Sequence, residues 1–297
     1  MRDRGQALRQ RLKTGFLIGD GGNGAMLRAA GLGPGESEEL WNITHPEEVI
    51  AVHRAFVEAG SQVVQTNSFQ GNRVSLSGRG LGDRVRELNR AAARLAREAA
   101  GDEVFVAGSI GPTGGLLEPV GDLTAPEASA AFEEQAAALA EAGVDFFIVE
   151  TFMDLEEAKL AARAAKKTGL PVFASMAFAF GAIATTPFGV DPARAAEELS
   201  ALELDGVGAN CGDVTPAEMV GVLAAMGKAT SLPLLAQPNA GRPELRGGQT
   251  VYPAEPEEMA EAAEEFRALG ARLIGGCCGT RPEHIAAIAA RLRPAPR

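Results

Sequence analysis

The chain is short of cysteine, of positive charge, of long apolar runs and of the two largest aromatic residues, and each shortage removes a class of protein. Three cysteines in 297 residues are too few, and odd in number, for a disulfide scaffold, which fits a reducing compartment. Lys and Arg number 28 against 39 Asp and Glu, a net charge of -11. That balance argues against a phosphate backbone or an anionic membrane as partner, because both are held by clustered basic side chains. No apolar run approaches the ~18 residues of a membrane span, and Met1 to Thr14 lack the apolar stretch of a secretory signal. A cytoplasmic protein that binds neither nucleic acid nor membrane is expected. No Pro/Gly/Ser-rich linker divides the chain, and 46% hydrophobic with 23% charged residues is an ordinary globular composition.

What is present is an alternation. Short β-like runs lie near Phe16 to Gly19, Gln62 to Gln65, Val104 to Gly108, Phe146 to Val149, Val172 to Met176, Asp205 to Gly208, Pro233 to Ala236 and Arg272 to Gly275. Helical periodicity fills the gaps, as in Pro46 to Ala59, where Val49, Val52, Phe56 and Val57 share one face. Four helices carry a Thr-x-x-Glu start, at Thr44, Thr124, Thr215 and Thr280, and are expected to open on capping boxes. Eight strand-helix units close naturally into a single-domain (β/α)₈ TIM barrel, an α/β fold. A doubly wound open sheet is the alternative. The expected division is an extension over 1–14, the barrel over 15–292 and a Pro-rich tail over 293–297.

In such a barrel the residues just after each strand form the active face. Here they are Asp20-Gly21-Gly22-Asn23-Gly24, Thr66-Asn67-Ser68, Ser109, Glu150-Thr151, Asn210-Cys211-Gly212, Gln237-Pro238-Asn239 and Gly276-Cys277-Cys278-Gly279. All three cysteines therefore converge, from the sixth and eighth strands. Any one of them could be a small buried hydrophobe, but three that coincide read as a metal site. A disulfide between Cys277 and Cys278 is disfavoured, since adjacent Cα atoms lie ~3.8 Å apart. Three thiolates suit Zn²⁺, which in catalytic sites keeps a fourth position open. The resulting negative complex is a poor Lewis acid for a carbonyl, and its natural guest is another thiol, deprotonated on binding.

These residues resemble the homocysteine S-methyltransferases. The motifs are Asp20-Gly21-Gly22, Gln65-Thr66-Asn67-Ser68-Phe69, Gly111-Pro112-Thr113-Gly114, Glu150-Thr151-Phe152, Asn210-Cys211-Gly212, Pro238-Asn239-Ala240-Gly241 and Gly275-Gly276-Cys277-Cys278-Gly279-Thr280, in family order over about residues 15 to 290. Asn72-Arg73 and Gln249-Thr250-Val251-Tyr252-Pro253 look most like the homocysteine-binding module of cobalamin-dependent methionine synthase. The resemblance implies a zinc-dependent transfer of methyl to homocysteine, giving methionine, with Cys211, Cys277 and Cys278 as zinc ligands. It implies that Asp20, Gly21, Thr66 and Glu150 hold the amino-acid end of the substrate, and Ser109 joins them as a strand-end candidate. An acid such as Glu150 suits an ammonium, although it could instead cap a neighbouring loop, and Asp20 before glycine is also ordinary turn chemistry.

The glycine pattern Gly19-x-Gly21-x-x-Gly24 is set against dinucleotide binding by Asp20, which would sit where pyrophosphate belongs. His53 reads as packed and His284 as a surface residue; Trp41 and Tyr252 could line a pocket or pack. For the methyl donor, one Trp and one Tyr offer little for the aromatic cage that an onium group prefers, although 13 Phe are available. A methylcorrinoid needs no cage but needs a carrier. The Asp-x-His-x-x-Gly motif is absent, since Ile43, Ala51 and Pro282 stand two residues before His45, His53 and His284. The expectation is methylcobalamin supplied by another domain or protein. S-methylmethionine or a betaine is the alternative donor, and a non-catalytic barrel with structural zinc is the contrasting class. The segment Phe178 to Val190 is more apolar than relatives show, and Asn23 and Ala25 replace commoner residues; these departures bear on which thiol or selenol is accepted.

Overall fold

Runs of Val, Ile, Leu and Phe bounded by turn residues form the strands β1 (Leu17–Ile18), β2 (Val63–Gln65), β3 (Phe105–Ile110), β4 (Phe146–Phe152), β5 (Val172–Met176), β6 (Gly206–Asn210), β7 (Leu234–Gln237), β8 (Glu244–Arg246), β9 (Gln249–Val251) and β10 (Ala271–Ile274). The computed structural model describes residues 4–179, 181, 184–247 and 249–293. Residues 294–297 of the expected tail, and 180, 182 and 183 of the apolar loop, lie outside that set. All eight expected strands form. The antiparallel pair β8 and β9 is an additional hairpin in the loop after β7.

The eight long-range strands lie in the order β1-β10-β7-β6-β5-β4-β3-β2, each pair parallel. Helices between them make this a nearly closed (β/α)₈ barrel and a single domain. The remaining seam, between β1 and β2, is bridged by Gln62, whose backbone N–H donates to Ile18 O at 2.7 Å. Its side-chain Oε1 accepts from Ile18 N at 3.2 Å.

Residues two apart on a strand share a face, and this spacing builds the interior in layers. Leu17, Val63, Ala107, Phe146, Ile148, Phe173, Leu235 and Leu273 form one apolar cluster inside the barrel. Leu8 and Leu12 complete it from the helix Arg4–Thr14, which lies across the entry ends of the strands. Arg4 anchors that helix, donating to Asp145 Oδ1 at 2.6 Å and Val104 O at 2.7 Å, and Arg9 reaches Asp205 Oδ1 at 2.6 Å. Two residues further along the same strands come Gln65, Ser109, Glu150, Ser175 and Gln237. The outlet end of the barrel is therefore polar.

Two of the four expected capping boxes form, at Thr124 with Glu127 and Thr215 with Glu218. The other two do not. The helices Pro46–Glu58 and Pro282–Leu292 start two residues after the threonine, with proline at N1 and His45 and Arg281 at the cap. Thr44 instead ends the short helix Trp41–Thr44, and the Thr280 hydroxyl is buried without a hydrogen-bond partner.

His53 is fully buried on the helix Pro46–Glu58, with neither ring nitrogen hydrogen-bonded. Burial pushes its pKa down from 6.5 to about 4. A lowered histidine pKa gives stability that is complete above the unfolded value and is lost as pH falls toward the folded one. The shift corresponds to about 3 kcal/mol. In His53→Leu the loss of unfolding free energy between neutrality and about pH 4.5 should shrink by roughly that amount, as read by urea titration. An unchanged pH slope would show that His53 does not carry it.

Candidate active site

Three loops bring the thiols together at the outlet end. Cys211 follows β6 in the left-handed region at φ 54, with Gly212 at φ 77 behind it. This turn points the strand's exit back over the barrel. Its N–H donates to Gln237 O at 3.0 Å. Cys277 N donates to Pro238 O at 2.8 Å, and Cys278 N to Asn239 Oδ1 at 3.0 Å. The first loop closes the site from the other side: Gly276 N donates to Asp20 O at 2.9 Å, and a Cβ on Gly22 would stand 2.7 Å from Cys277 O. Only a residue without a side chain fits there.

The sulfurs of Cys211, Cys277 and Cys278 lie within 4.8 Å of one another, and Cys211 and Cys278 are 3.9 Å apart without a disulfide. A tetrahedral zinc with Zn–S near ~2.3 Å needs sulfurs about 3.8 Å apart, so the donor set and its spacing fit that ion. The thiols titrate as a unit. Cys278 is held far below an ordinary thiol by hydrogen bonds from Cys211 and Cys277, while Cys277 is pushed well up by its contacts with Cys211 and Cys278 and by burial. One thiolate thus forms readily inside the cluster, and the further protons are harder to remove.

Beside the sulfurs, on the barrel axis, lies a buried polar network. Asp20 is fully buried. Its Oδ2 accepts from Gln65 N at 2.8 Å and from Asn23 Nδ2 at 3.4 Å, and its Oδ1 has no hydrogen-bond partner. Glu150 Oε1 accepts from Gln65 Nε2 and from Ser109 Oγ, both at 2.5 Å. Gln237 Nε2 in turn donates to Gln65 Oε1 at 2.5 Å. Burial pushes Asp20 up to about 8, with the Glu150 charge adding to it. Burial likewise pushes Glu150 up to about 7, against the Ser109 hydrogen bond and with the charge of Cys278. Two carboxylates raised together by burial form a site that gains most from an incoming cation.

The remaining expected residues stand around this pair. Gly21 packs so closely that a Cβ would lie 2.7 Å from Thr280 O and 2.9 Å from the Phe56 ring. The Thr66 hydroxyl is buried against Ser68 Oγ at 2.6 Å and accepts from Ser109 N at 3.0 Å. Sequence reasoning placed Ser109, Glu150 and Asn210 after their strands, whereas they lie within β3, β4 and β6. A polar residue ends an apolar run, but these polar residues bond to one another and the strand continues. Gln65, Gln237 and Asn210 join the site in addition to the residues expected from the sequence. For Gln65 and Gln237 the signal is the inward phase two residues beyond Val63 and Leu235; Asn210 follows Gly208 and has no such signal.

Three neighbours complete the surroundings. Tyr252 is half-buried and faces Cys278, with its ring against Gly279 at φ 74, where a Cβ would lie 2.2 Å from the ring. Trp41 is buried and stacks on His45 with centroids 4.2 Å apart. His284, expected on the surface, is buried: its Nδ1 accepts from Arg281 N at 3.0 Å and its Nε2 meets Ala254 O at 3.1 Å. It ties the helix after the double-cysteine loop to the segment that carries Tyr252. In the apolar loop, Phe178 is buried and its carbonyl accepts from Asp213 N at 2.9 Å, which braces the Cys211 turn.

Comparison with known proteins gives a family. The family model for homocysteine S-methyltransferase matches residues 17–292. Methionine synthase of Mycobacterium tuberculosis is 35% identical over 299 residues, covering 94% of this chain and 25% of its own length. The chain thus spans about a quarter of that relative. Betaine–homocysteine S-methyltransferase 1 of Mus musculus is 33% identical, covering 96% of this chain and 74% of that protein. Among solved structures, the metallated form of the homocysteine methyltransferase MmuM from Escherichia coli aligns with a TM-score of 0.77 at 25% identity, covering 93% of this chain and 96% of that one. No helix among the described residues is long and apolar enough to cross a membrane.

Proposed function

The chain belongs to the homocysteine S-methyltransferase family, and on that premise we propose that it moves a methyl group onto the sulfur of homocysteine, giving methionine, with Zn²⁺ held by Cys211, Cys277 and Cys278. The observation that carries this reading is the adjacency of three thiols to a buried pair of carboxylates, one of which, Asp20, keeps an unpartnered oxygen. A zinc ion in the thiol cluster supplies one thing, a lowered pKa for a fourth, incoming thiol. The rest is done by the chain. Asp20 and Glu150 receive the substrate ammonium, and the Gly21 backbone, whose side-chain position is filled by Thr280 and Phe56, contributes to the same amino-acid end. Ser109 and Gln65 fix the Glu150 carboxylate, and Thr66 fixes Ser109. A sulfur–carbon bond forms as the bond from methyl to donor breaks, and its electron pair leaves with the donor.

For the donor, the reading is a methylcorrinoid carried by another domain or protein. It is supported by the likeness to methionine synthase over 94% of the chain and by the burial of Trp41, which removes the sole Trp from any cage at the mouth. The second reading, a small onium donor such as S-methylmethionine or a betaine, is favoured by the likeness to the betaine-using relative, of which the chain covers 74%. Incubating zinc-loaded protein and homocysteine with free methylcobalamin and, separately, with S-methylmethionine and betaine decides between them. Faster turnover with either onium compound sinks the corrinoid reading. X-ray absorption at the zinc edge tests the acceptor: homocysteine should add one sulfur to the metal's neighbours, and an unchanged spectrum would leave a merely structural zinc.

A further inference from the structure

We propose that Asn210 is a positioning residue whose side-chain amide donates a hydrogen bond to the Cys277 sulfur and locks that sulfur to the turn beside Glu150. The amide is fully buried at the end of β6. Its Oδ1 accepts from Thr151 N at 2.8 Å and from Ser175 Oγ at 2.6 Å. A backbone N–H can only donate, so the Thr151 contact fixes which end of the amide is oxygen. The Nδ2 end must then face the other way. There one proton goes to Thr151 Oγ1 at 2.6 Å and the other points at Cys277 Sγ, 3.8 Å away. All the hydrogen-bonding capacity of the amide is used, across β4, β5, β6 and the loop after β10.

The two ends of this bridge matter for different reasons. Thr151 sits at φ 65, a left-handed conformation that a β-branched residue adopts only when its surroundings enforce it. Its N–H and hydroxyl are both held by Asn210, so the amide is part of that enforcement and thereby holds the turn immediately after Glu150. At the sulfur, an N–H donor draws charge from a thiolate. The other two sulfurs have polar neighbours of their own, the Gly212 N–H beside Cys211 and the Tyr252 hydroxyl beside Cys278. Three thiolates around one divalent ion would carry excess negative charge, and the Asn210 N–H at Cys277 Sγ is placed to relieve part of it. Asn210 couples that charge relief to the position of the substrate-binding carboxylate.

The inference rests on the reading of the thiols as a metal site, and the test separates the two. In Co²⁺-substituted protein, Asn210→Leu and Asn210→Ala remove the N–H donor, leave Cys277 more electron-rich and should move the sulfur-to-cobalt charge-transfer band to lower energy. Zinc affinity, by competition with a chelator, should fall by ~10–100-fold, the usual effect of losing a partner that supports a ligand. Thr151→Val removes the Thr151 hydroxyl and leaves the N–H to sulfur contact, so its band should stay at the wild-type position. A wild-type band in both Asn210 variants, or an equal shift in Thr151→Val, overturns the proposal. Failure of the wild-type protein to bind cobalt or zinc at all would instead overturn the metal site itself. Should Asn210→Leu not fold, the smaller Ala variant carries the measurement.

Discussion

Cys211→Ala is expected to lose zinc and methyl transfer together while the barrel stays folded. The thiols stand on loops above the barrel, and the apolar layers of Leu, Phe, Val and Ile beneath them include none of the three cysteines. Alanine also carries the same backbone cost as cysteine at φ 54, so the substitution isolates the sulfur in a way that glycine would not. Structural zinc sites are worth ~10–16 kcal/mol in all. One ligand's share of that is about 4 kcal/mol, on the order of 10³-fold in affinity. Metal analysis after dialysis, turnover with homocysteine and a thermal melt measure the three effects. A variant that loses its cooperative melt, with or without added zinc, would place the metal in the folding of the chain rather than in its chemistry.

Glu150→Gln should weaken capture of the amino-acid end by ~10²-fold, because a buried charge pair that loses one member costs ~2–5 kcal/mol. Glutamine still accepts from Ser109 and Gln65, so the pocket keeps its shape and kcat should fall far less than KM rises. The pH dependence carries the sharper signature. An ammonium pairs with a carboxylate only when that carboxylate is ionised, so binding strengthens as pH rises through the raised values, about 7 for Glu150 and about 8 for Asp20. Norleucine, which has the amino-acid end without the sulfur, reports this step apart from thiol ionisation. Its inhibition constant should fall across that range in the wild-type protein. In Glu150→Gln only the Asp20 part of the change should remain, moved to lower pH because the Glu150 charge that helps raise Asp20 is gone. An identical pH profile in the two proteins would remove Glu150 from the ammonium site.

Much of this site is visible along the chain because its chemistry lies at strand ends, and apolar runs such as Val172–Met176 mark strands well. The cysteines were found by that route. What the sequence hides is contact across the barrel. Gln65 belongs to β2 and bonds a carboxylate on β4 and an amide on β7, partners 85 and 172 residues away, and no local pattern encodes that meeting. The same cause hides His284, which opens its helix in an exposed-looking Arg-Pro-Glu-His sequence and is covered by Ala254, 30 residues earlier. Cap positions are hidden locally as well: Thr44, Thr124 and Thr280 share the Thr-x-Pro-Glu spelling, yet only the helix at Thr124 starts so that the box forms.

The helix Arg4–Thr14 precedes every strand in the chain, yet its anchors lie 141 residues away at Asp145 and 196 at Asp205. Closing loops of that length carries an entropic cost before any contact rewards it. By that argument this helix docks after the strands that hold its anchors, and until it does the barrel shows solvent the apolar underside that Leu8 and Leu12 cover. In the cell this interval is the one in which the chain is most exposed to proteases and to sticking to its own copies.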